Sequence, residues 1–410
     1  MINEIFEKKS HTTTIDIVQT QIDGINRKNI IKTGMRVYDG KSIGVAGALG
    51  NFNHDELEKK AIEALGLKIA YPCDVSSNHT EKSEIKLSGI SEDKLVEETE
   101  FLLEHLRREF PDFIFSHKVT YSDEETSLCN DQKLDLSHRS SLLNIVLLFK
   151  EKTSSNIFDG YWEEEIRDYD RGKVLKGIEE ICNGYRNKVD LPLEETIPVI
   201  FSTASDLAFK KIIEGLSGQK IGMKSSIFSD KMQKKVFNDN FSLVQSLHPD
   251  DYSGPFFDDE GCVNKDYKID LIRNGTIVSP YTDKKNAQQY GFSHTGSAVS
   301  AYDGVPSPGL KNILILESEN TLIELLKGRK AVYAYMPSGG DFTSTGDFAS
   351  PVQLSFLFDG EKIFGRLPQL NISSNLFDMF GKSFIGVSKN RITSFSNRHY
   401  MVMEMKVAKG

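Results

Sequence analysis

No run in the 410 residues approaches the eighteen or so consecutive apolar positions that a membrane-crossing helix requires. The opening residues, MINEIFEKKSHTTTIDI, have no continuous apolar core of the kind that directs export. Cysteine is scarce and dispersed: Cys73, Cys129, Cys182 and Cys262 include no CxxC pair, which excludes a zinc ribbon and a thioredoxin-type motif. Isolated cysteines suit a reducing compartment better than a disulfide scaffold, so the expected location is the cytoplasm. A basic excess is also missing. The formal net charge is −9, which argues against a general nucleic-acid or anionic-membrane binder. What remains, 39% hydrophobic and 27% charged, is the composition of an ordinary globular protein with enough length for two or three domains.

Catalytic motifs are equally scarce. Gly40-Lys41-Ser42 lacks the upstream glycine of a phosphate-binding loop, because that position is Met35 and Gly34 misses by one. Gly44, Gly47 and Gly50 are spaced GxxGxxG rather than GxGxxG, and glycines on a crowded strand account for them. No GxSxG elbow occurs, and neither Cys182 nor Cys262 has a histidine nearby in sequence. Cys182 falls on an apolar stripe with Leu175 and Ile178, as a buried structural thiol does. A hydrolytic zinc needs ligands held together and a base for its water. The nine histidines are His11, His54, His79, His105, His117, His138, His248, His294 and His399, and the closest two are His105 and His117. No predicted helix presents a pair of them.

The patterning that is present reads as an α+β N-terminal half and a strand-rich C-terminal half. Asp39-Gly40 is placed to turn a hairpin between Met35–Tyr38 and Ser42–Val45. A helix follows, capped by Asn53 with Glu56 at the capping-box position, and Gly66 can end it. Ser91 opens a second helix, with Leu95, Leu102, Leu106 and Phe110 as its stripe and Pro111 as its stop. Strand-like runs occupy Phe113–Tyr121 and Leu142–Phe149, and Trp162–Cys182 reads as a loop and then a helix. Leu191-Pro192-Leu193 is a joint. Beyond it come a strand at Ile197–Phe201 and a helix at Asp206–Leu216. Short strands then run to the end, punctuated by Asn274-Gly275, Asp303-Gly304, Gly339-Gly340 and Asp359-Gly360.

One stretch stands out: Asp258-Asp259-Glu260-Gly261. On extended chain, adjacent carboxylates face opposite ways, so all three cannot ligate one ion, although Asp258 and Glu260 could share a face. A calcium loop would need further oxygen ligands, which Cys262, Val263 and Lys265 do not provide. The simplest expectation is a turn ending at Gly261, its carboxylates solvated or capping backbone N–H groups.

Phe257-Asp258-Asp259-Glu260-Gly261, followed by a strand ending in Asn274-Gly275-Thr276-Ile277, resembles the signature of the TldD/PmbA family, once called modulators of DNA gyrase. Thr33-Gly34-Met35-Arg36-Val37-Tyr38 and Gly44–Gly47 are similar to its N-terminal hairpin. Leu216-Ser217-Gly218 and Lys224-Ser225-Ser226 are similar to the opening of its C-terminal domain. His294-Thr295-Gly296 matches a Thr-Gly turn, and Gly339-Gly340 with Ser344–Phe348 its late glycine loop. The order of these blocks, from about residue 12 to 395, carries the resemblance.

The resemblance implies an N-terminal two-layer α/β domain with antiparallel strands over residues 1–190, with a central strand-containing part from about 112. It implies a barrel-like, strand-rich C-terminal domain with a few helices over residues 191–410. It further implies cytosolic metallopeptidases that act on flexible peptides, in which a TldD-like subunit carries HExxxH and a later cysteine ligand, while the PmbA-like, or TldE, subunit lacks them. Here Lys211, Ile212 and Leu216 occupy the motif positions and none can do the work of histidine or glutamate. No cysteine follows Cys262. The chain therefore resembles the PmbA/TldE branch, with no catalytic residue, metal or cofactor of its own and the zinc expected in a TldD-like partner. Asp258, Asp259, Glu260, Gly261, His294, Thr295 and Gly296 become candidates for substrate-cleft or scaffold roles, with fixing the following strand the favoured one for the acidic turn. The expected partners are the HExxxH subunit, or a second copy of the chain, and an unfolded peptide, with no nucleic acid and no membrane. A non-catalytic homodimeric peptide-binding or regulatory protein is the alternative. A relocated metal site using His248, His294 and the carboxylates 258–260 is a further one.

Overall fold

The computed structural model describes residues 1–72 and 74–410; Cys73 lies outside the described residues. The N-terminal half is built on four long strands: β1 (Ile2–Val18), β2 (Gln21–Tyr38), β6 (Phe113–Asn130) and β7 (Leu134–Glu151). Shorter strands β3 (Ser42–Leu49), β4 (Ile69–Ala70), β5 (His79–Ile85) and β8 (Gly160–Ile166) complete the sheet. Its order is β4-β3-β2-β1-β6-β7-β5, with β8 paired to another stretch of β7. Among the described residues of this sheet, only the β5–β7 strand pairing is parallel. On β7 the period of two is explicit: Leu143, Ile145, Leu147 and Phe149 are buried and the residues between them are not.

Helices α2 (Leu95–Glu109) and α3 (Arg171–Arg186) bring Leu102, Leu106, Val174, Ile178 and Cys182 into one core with Ile15, Val119 and Ile145. The expected stripe of α2 is therefore the buried one. Helix α1 (His54–Ala64) begins at Asn53, whose side chain accepts the Glu56 N–H at 3.1 Å, and buries Leu57 and Ala61 against Met35 and Val37. It runs on through a 3-10 turn, and Lys68, not Gly66, takes the left-handed conformation at its end.

Sequence patterning did not reveal β1 or the first part of β2. Lys8-Lys9-Ser10-His11 and Arg27-Lys28-Asn29 carry no apolar alternation, and here ladder pairing on both edges of β1 holds the strand. The loop expected at Trp162 is instead strand β8, whose buried Trp162 packs beneath α3. The runs at Phe113 and Leu142 are parts of much longer strands.

The C-terminal half is organised by a closed barrel. Strand β9 (Ile197–Ser202) pairs with Ala331–Pro337 and with His399–Lys409. The ring closes through Leu370–Asn375 and Asp347–Phe358, which pairs back to Ala331–Pro337. Closure leaves no open edge among these five strands. Alternation along β9 serves two cores: Ile197, Val199 and Phe201 face a C-terminal cluster, while Ile200 joins the cluster beneath α3. The helix expected at 206–216 is regular only over α4 (Lys210–Gly215). Asn274-Gly275 turns a hairpin with both residues at positive φ.

Candidate functional site

The positions at which the resemblance would place HExxxH lie on α4 and at its C-cap, Leu216. Ile212 and Leu216 are fully buried, packed in the C-terminal core with Phe209, Phe228 and Val199; Lys211 is half-buried. An imidazole or carboxylate at 212 or 216 would stand in hydrocarbon. These residues do not fit a zinc ion, and no step of hydrolysis can be routed through them.

The acidic turn is different. Gly261 N–H donates to the Asp258 carbonyl at 3.0 Å, closing the turn as expected. Gly261 sits at φ +69°, and a Cβ there would lie 2.7 Å from Leu134 and 2.8 Å from Leu128, so the position demands glycine twice over. The carboxylates, however, are not solvated: Asp258, Asp259 and Glu260 are all buried. The turn faces inward because its neighbours Phe256 and Phe257 plug a cluster with Phe6, Leu128, Leu134 and Leu136 of the N-terminal sheet.

Burial of three adjacent carboxylates is sustainable only if each finds donors. Asp258 Oδ1 accepts the N–H groups of Glu260 (3.0 Å) and Cys262 (2.8 Å), and its Oδ2 accepts that of Ala298 (3.1 Å). Asp259 Oδ1 receives Lys311 Nζ at 2.6 Å and Oδ2 the Ser300 N–H at 2.7 Å. Glu260 Oε1 accepts from the Tyr71 hydroxyl; Oε2 accepts the Lys284 N–H at 3.0 Å and lies 3.3 Å from His294 Nε2. The turn backbone is bound as well. Arg36, fully buried, donates to the Asp259 carbonyl at 2.6 Å, to Glu4 at 3.1 Å and to Ser300 at 2.8 Å, with its guanidinium over Phe6. Ser76 Oγ donates to the Glu260 carbonyl at 2.8 Å. The turn therefore ties the N-terminal sheet to the C-terminal half, rather than chiefly fixing the strand that follows it.

The three carboxyls titrate differently. Burial, and then the neighbouring Glu260 charge, push Asp258 up to about 6. For Asp259, burial acts upward, but the Lys311 ammonium and its hydrogen bond outweigh it and hold the group below the usual range. Burial likewise acts upward on Glu260 and is outweighed by the hydrogen bonds from His294, Tyr71 and Lys284. Burial, reinforced by Asp258, pushes the Cys262 thiol well up.

Of the other candidates, His294 joins the cluster, with Nε2 also 3.7 Å from Cys262 Sγ. Thr295 is a buried brace: its hydroxyl donates to the Thr282 carbonyl at 3.0 Å and accepts the Thr282 N–H at 2.7 Å. Gly296, at φ +61°, presents its carbonyl to Gln245 at 2.9 Å. His248 is elsewhere, edge-on to Tyr267 and beside Asp250. Arg36, Lys311 and Tyr71 belong to the site and were not singled out by sequence, and Cys262, set aside for want of a histidine nearby in sequence, has His294 beside it in space. Arg36 and Asp259 are 223 positions apart, and nothing local signals their meeting. Gly34 and Gly47 gave an indirect sign: they face one another across β2 and β3, where a Cβ would strike Tyr302 or Asp303.

A second feature is a polar groove of about 880 Å3 between the two halves, lined by His138, Arg167, Asp251, Ser253, Asn397 and Arg398 among others.

A closed barrel joined to a long-stranded sheet by a buried acidic turn defines the class of the molecule, a strand-rich α+β protein. The chain belongs to the family described as PmbA/TldA metallopeptidase C-terminal domain, which matches residues 194–409. It is similar to an uncharacterized protein of Methanocaldococcus jannaschii, 21% identical over 92% of this chain and 89% of that one. It is also similar to the zinc metalloprotease TldD homolog of Saccharolobus solfataricus, 26% identical over 63% of this chain and 58% of that one. The fold matches the crystal structure of TldE from Thermococcus kodakarensis with a TM-score of 0.80 at 19% identity, covering 100% of this chain and 97% of that one. No helix among the described residues is long and apolar enough to cross a membrane.

Proposed function

We propose that this chain is a PmbA/TldE-like subunit of a cytosolic heterodimeric peptidase. A TldD-like partner bearing HExxxH supplies the hydrolytic zinc, its activated water and the general base. The observation that carries the reading is the chemistry of α4: Ile212 and Leu216 fill core space at the positions where the resemblance would place glutamate and histidine. This chain contributes binding. The groove between the halves offers side-chain and backbone hydrogen-bonding groups to an extended, unfolded peptide, a capture mode that tolerates many sequences because it uses the peptide's main chain. The substrates are flexible peptides, matured or degraded.

The test is reconstitution. The purified chain is mixed with an HExxxH-bearing homologue of matching origin, followed by size-exclusion chromatography and cleavage of an unstructured peptide. A stable 1:1 complex with activity in the mixture, and in neither chain alone, is expected. Hydrolysis by this chain alone, or failure to associate with its cognate partner, overturns the reading.

A further inference from the structure

At the junction turn, side chains distant in sequence converge on one point. Ligand atoms of Asp258, Glu260, Cys262 and His294 all lie within 4.8 Å of one another. The contacts share an atom: His294 Nε2 is 3.3 Å from Glu260 Oε2 and 3.7 Å from Cys262 Sγ. In a nucleophilic relay the imidazole would use one nitrogen for the thiol and the other for the carboxylate. Both groups here meet the same nitrogen, and the carboxylate oxygen and the thiol sulfur are themselves within 4.8 Å of each other, so the three donor atoms form one compact cluster. Zinc held tetrahedrally at its usual bond lengths to nitrogen, oxygen and sulfur separates its ligand atoms by about 3.3–3.6 Å, and the two observed separations sit at that scale.

The surroundings fit a cation. Asp258 has both oxygens engaged by backbone N–H groups, so it braces the turn and adds negative charge without needing to ligate. Glu260 has Oε1 fixed by the Tyr71 hydroxyl, while Oε2 accepts the Lys284 N–H at 3.0 Å and keeps a second lone pair turned toward His294. Ser76 Oγ lies 3.4 Å from the thiol and receives Lys284 Nζ at 3.1 Å, while the Lys311 ammonium is taken up by Asp259 on the other side of the turn. Outer partners of this kind orient metal ligands and tune their affinity. Nitrogen, carboxylate and thiolate together suit zinc better than calcium or magnesium, which take oxygen.

We propose that Glu260, Cys262 and His294 form a zinc site that fastens the N-terminal sheet to the barrel half. It is separate from the degenerate helix α4 and does not rest on the heterodimer reading. It replaces the expectation, drawn from the missing HExxxH, that the chain holds no metal of its own. Binding converts the Cys262 S–H to a metal thiolate and releases the proton to solvent. The outer partners Tyr71 and Ser76 come from the N-terminal half and the ligands from the C-terminal half, so the ion would stiffen the seam between them.

The full-length, tag-free chain, stripped by a chelator, is titrated with Zn2+ alone and with Co2+ alone, and read by elemental mass spectrometry and by the thiolate-to-cobalt absorption band. One equivalent per chain, the thiolate band, and a rise in unfolding temperature with Zn2+ are expected. Cys262→Ser and His294→Ala each weaken zinc binding 100-fold or more and abolish the temperature rise, and Cys262→Ser removes the thiolate band. His248→Ala binds like the parent. Circular dichroism checks that each variant is folded, and Cys262→Ser, the more conservative change, decides if His294→Ala is not. A parent chain that takes up no zinc overturns the proposal, and so does stoichiometric zinc unchanged in a folded Cys262→Ser chain. Neither result alters the outcome of the reconstitution experiment.

Discussion

Helix α4 and the turn 258–261 are both buried, and the two interiors are opposites. On α4, Ile212 and Leu216 sit among Phe209, Phe228 and Val199, with no polar atom in their role and none needed. At the turn, three carboxylates are just as deep, but each is met by backbone N–H groups, an ammonium, a hydroxyl or an imidazole. Depth alone does not decide whether a place can host charge. Preplaced donors do, because an unmatched buried charge costs far more than the group would add. The same contrast separates a helix that has no means of holding the family's zinc from a turn whose neighbours converge like ligands.

The strongest way to break the comparison is to restore the lost motif. Lys211→His, Ile212→Glu and Leu216→His together recreate HExxxH on α4. Ile212→Glu buries a charge without a partner, and Leu216→His replaces packed hydrocarbon; a loss above about 5 kcal/mol is expected, seen as failure to fold. A soluble, zinc-loaded triple variant would show that α4 is more adaptable than its packing indicates.

Next in size is Arg36→Met. It leaves Glu4 without its charged partner, with only the Tyr38 hydroxyl and the Asn130 amide as donors, and frees the Asp259 carbonyl; removing one partner of a buried pair costs about 3–5 kcal/mol in denaturant unfolding. Adding Glu4→Gln should recover a large part of that loss; no recovery would mean that the pair is not the source of the cost. Tyr71→Phe is milder. It removes a donor from the buried Glu260 carboxylate, and about 1–3 kcal/mol is expected. An unchanged midpoint would show that water replaces the hydroxyl and that the junction is wet at Glu260.

The smallest effect concerns Glu164 on β8, at the seam beneath the barrel. Burial pushes its carboxyl up, with Arg398 acting the other way. A raised folded-state value means that the protonated form is favoured on folding. The associated stability is present at acid pH and is lost as the pH rises through the folded value. Glu164→Gln should therefore flatten the fall in stability that the parent shows as the pH rises above the ordinary glutamate range, and the variant should be the more stable chain once the parent's Glu164 is ionised. A parallel pH profile in parent and variant would contradict this.

Much of the fold was legible because its signals are local. Asp39-Gly40, Asn53, the Leu95–Phe110 stripe and the β9 run each carry their own turn, cap or period. The acidic turn was legible as a turn for the same reason, since Gly261 closes it. Its burial was not, because Phe256 and Phe257 must first find Phe6 and Leu134 across the chain. Nor was the Cys262–His294 contact, which spans 32 positions and an intervening helix. The first strands were hidden for the complementary reason: ladder pairing to two neighbours, rather than an apolar face, holds the middle of β1.

The central claim, that this chain binds and a partner cleaves, is tested most directly by peptide hydrolysis in a reconstituted mixture in which the partner's HExxxH glutamate is replaced by glutamine. The account predicts that cleavage requires both chains and disappears with that single change in the partner. Cleavage that persists would place the chemistry in this chain and contradict it.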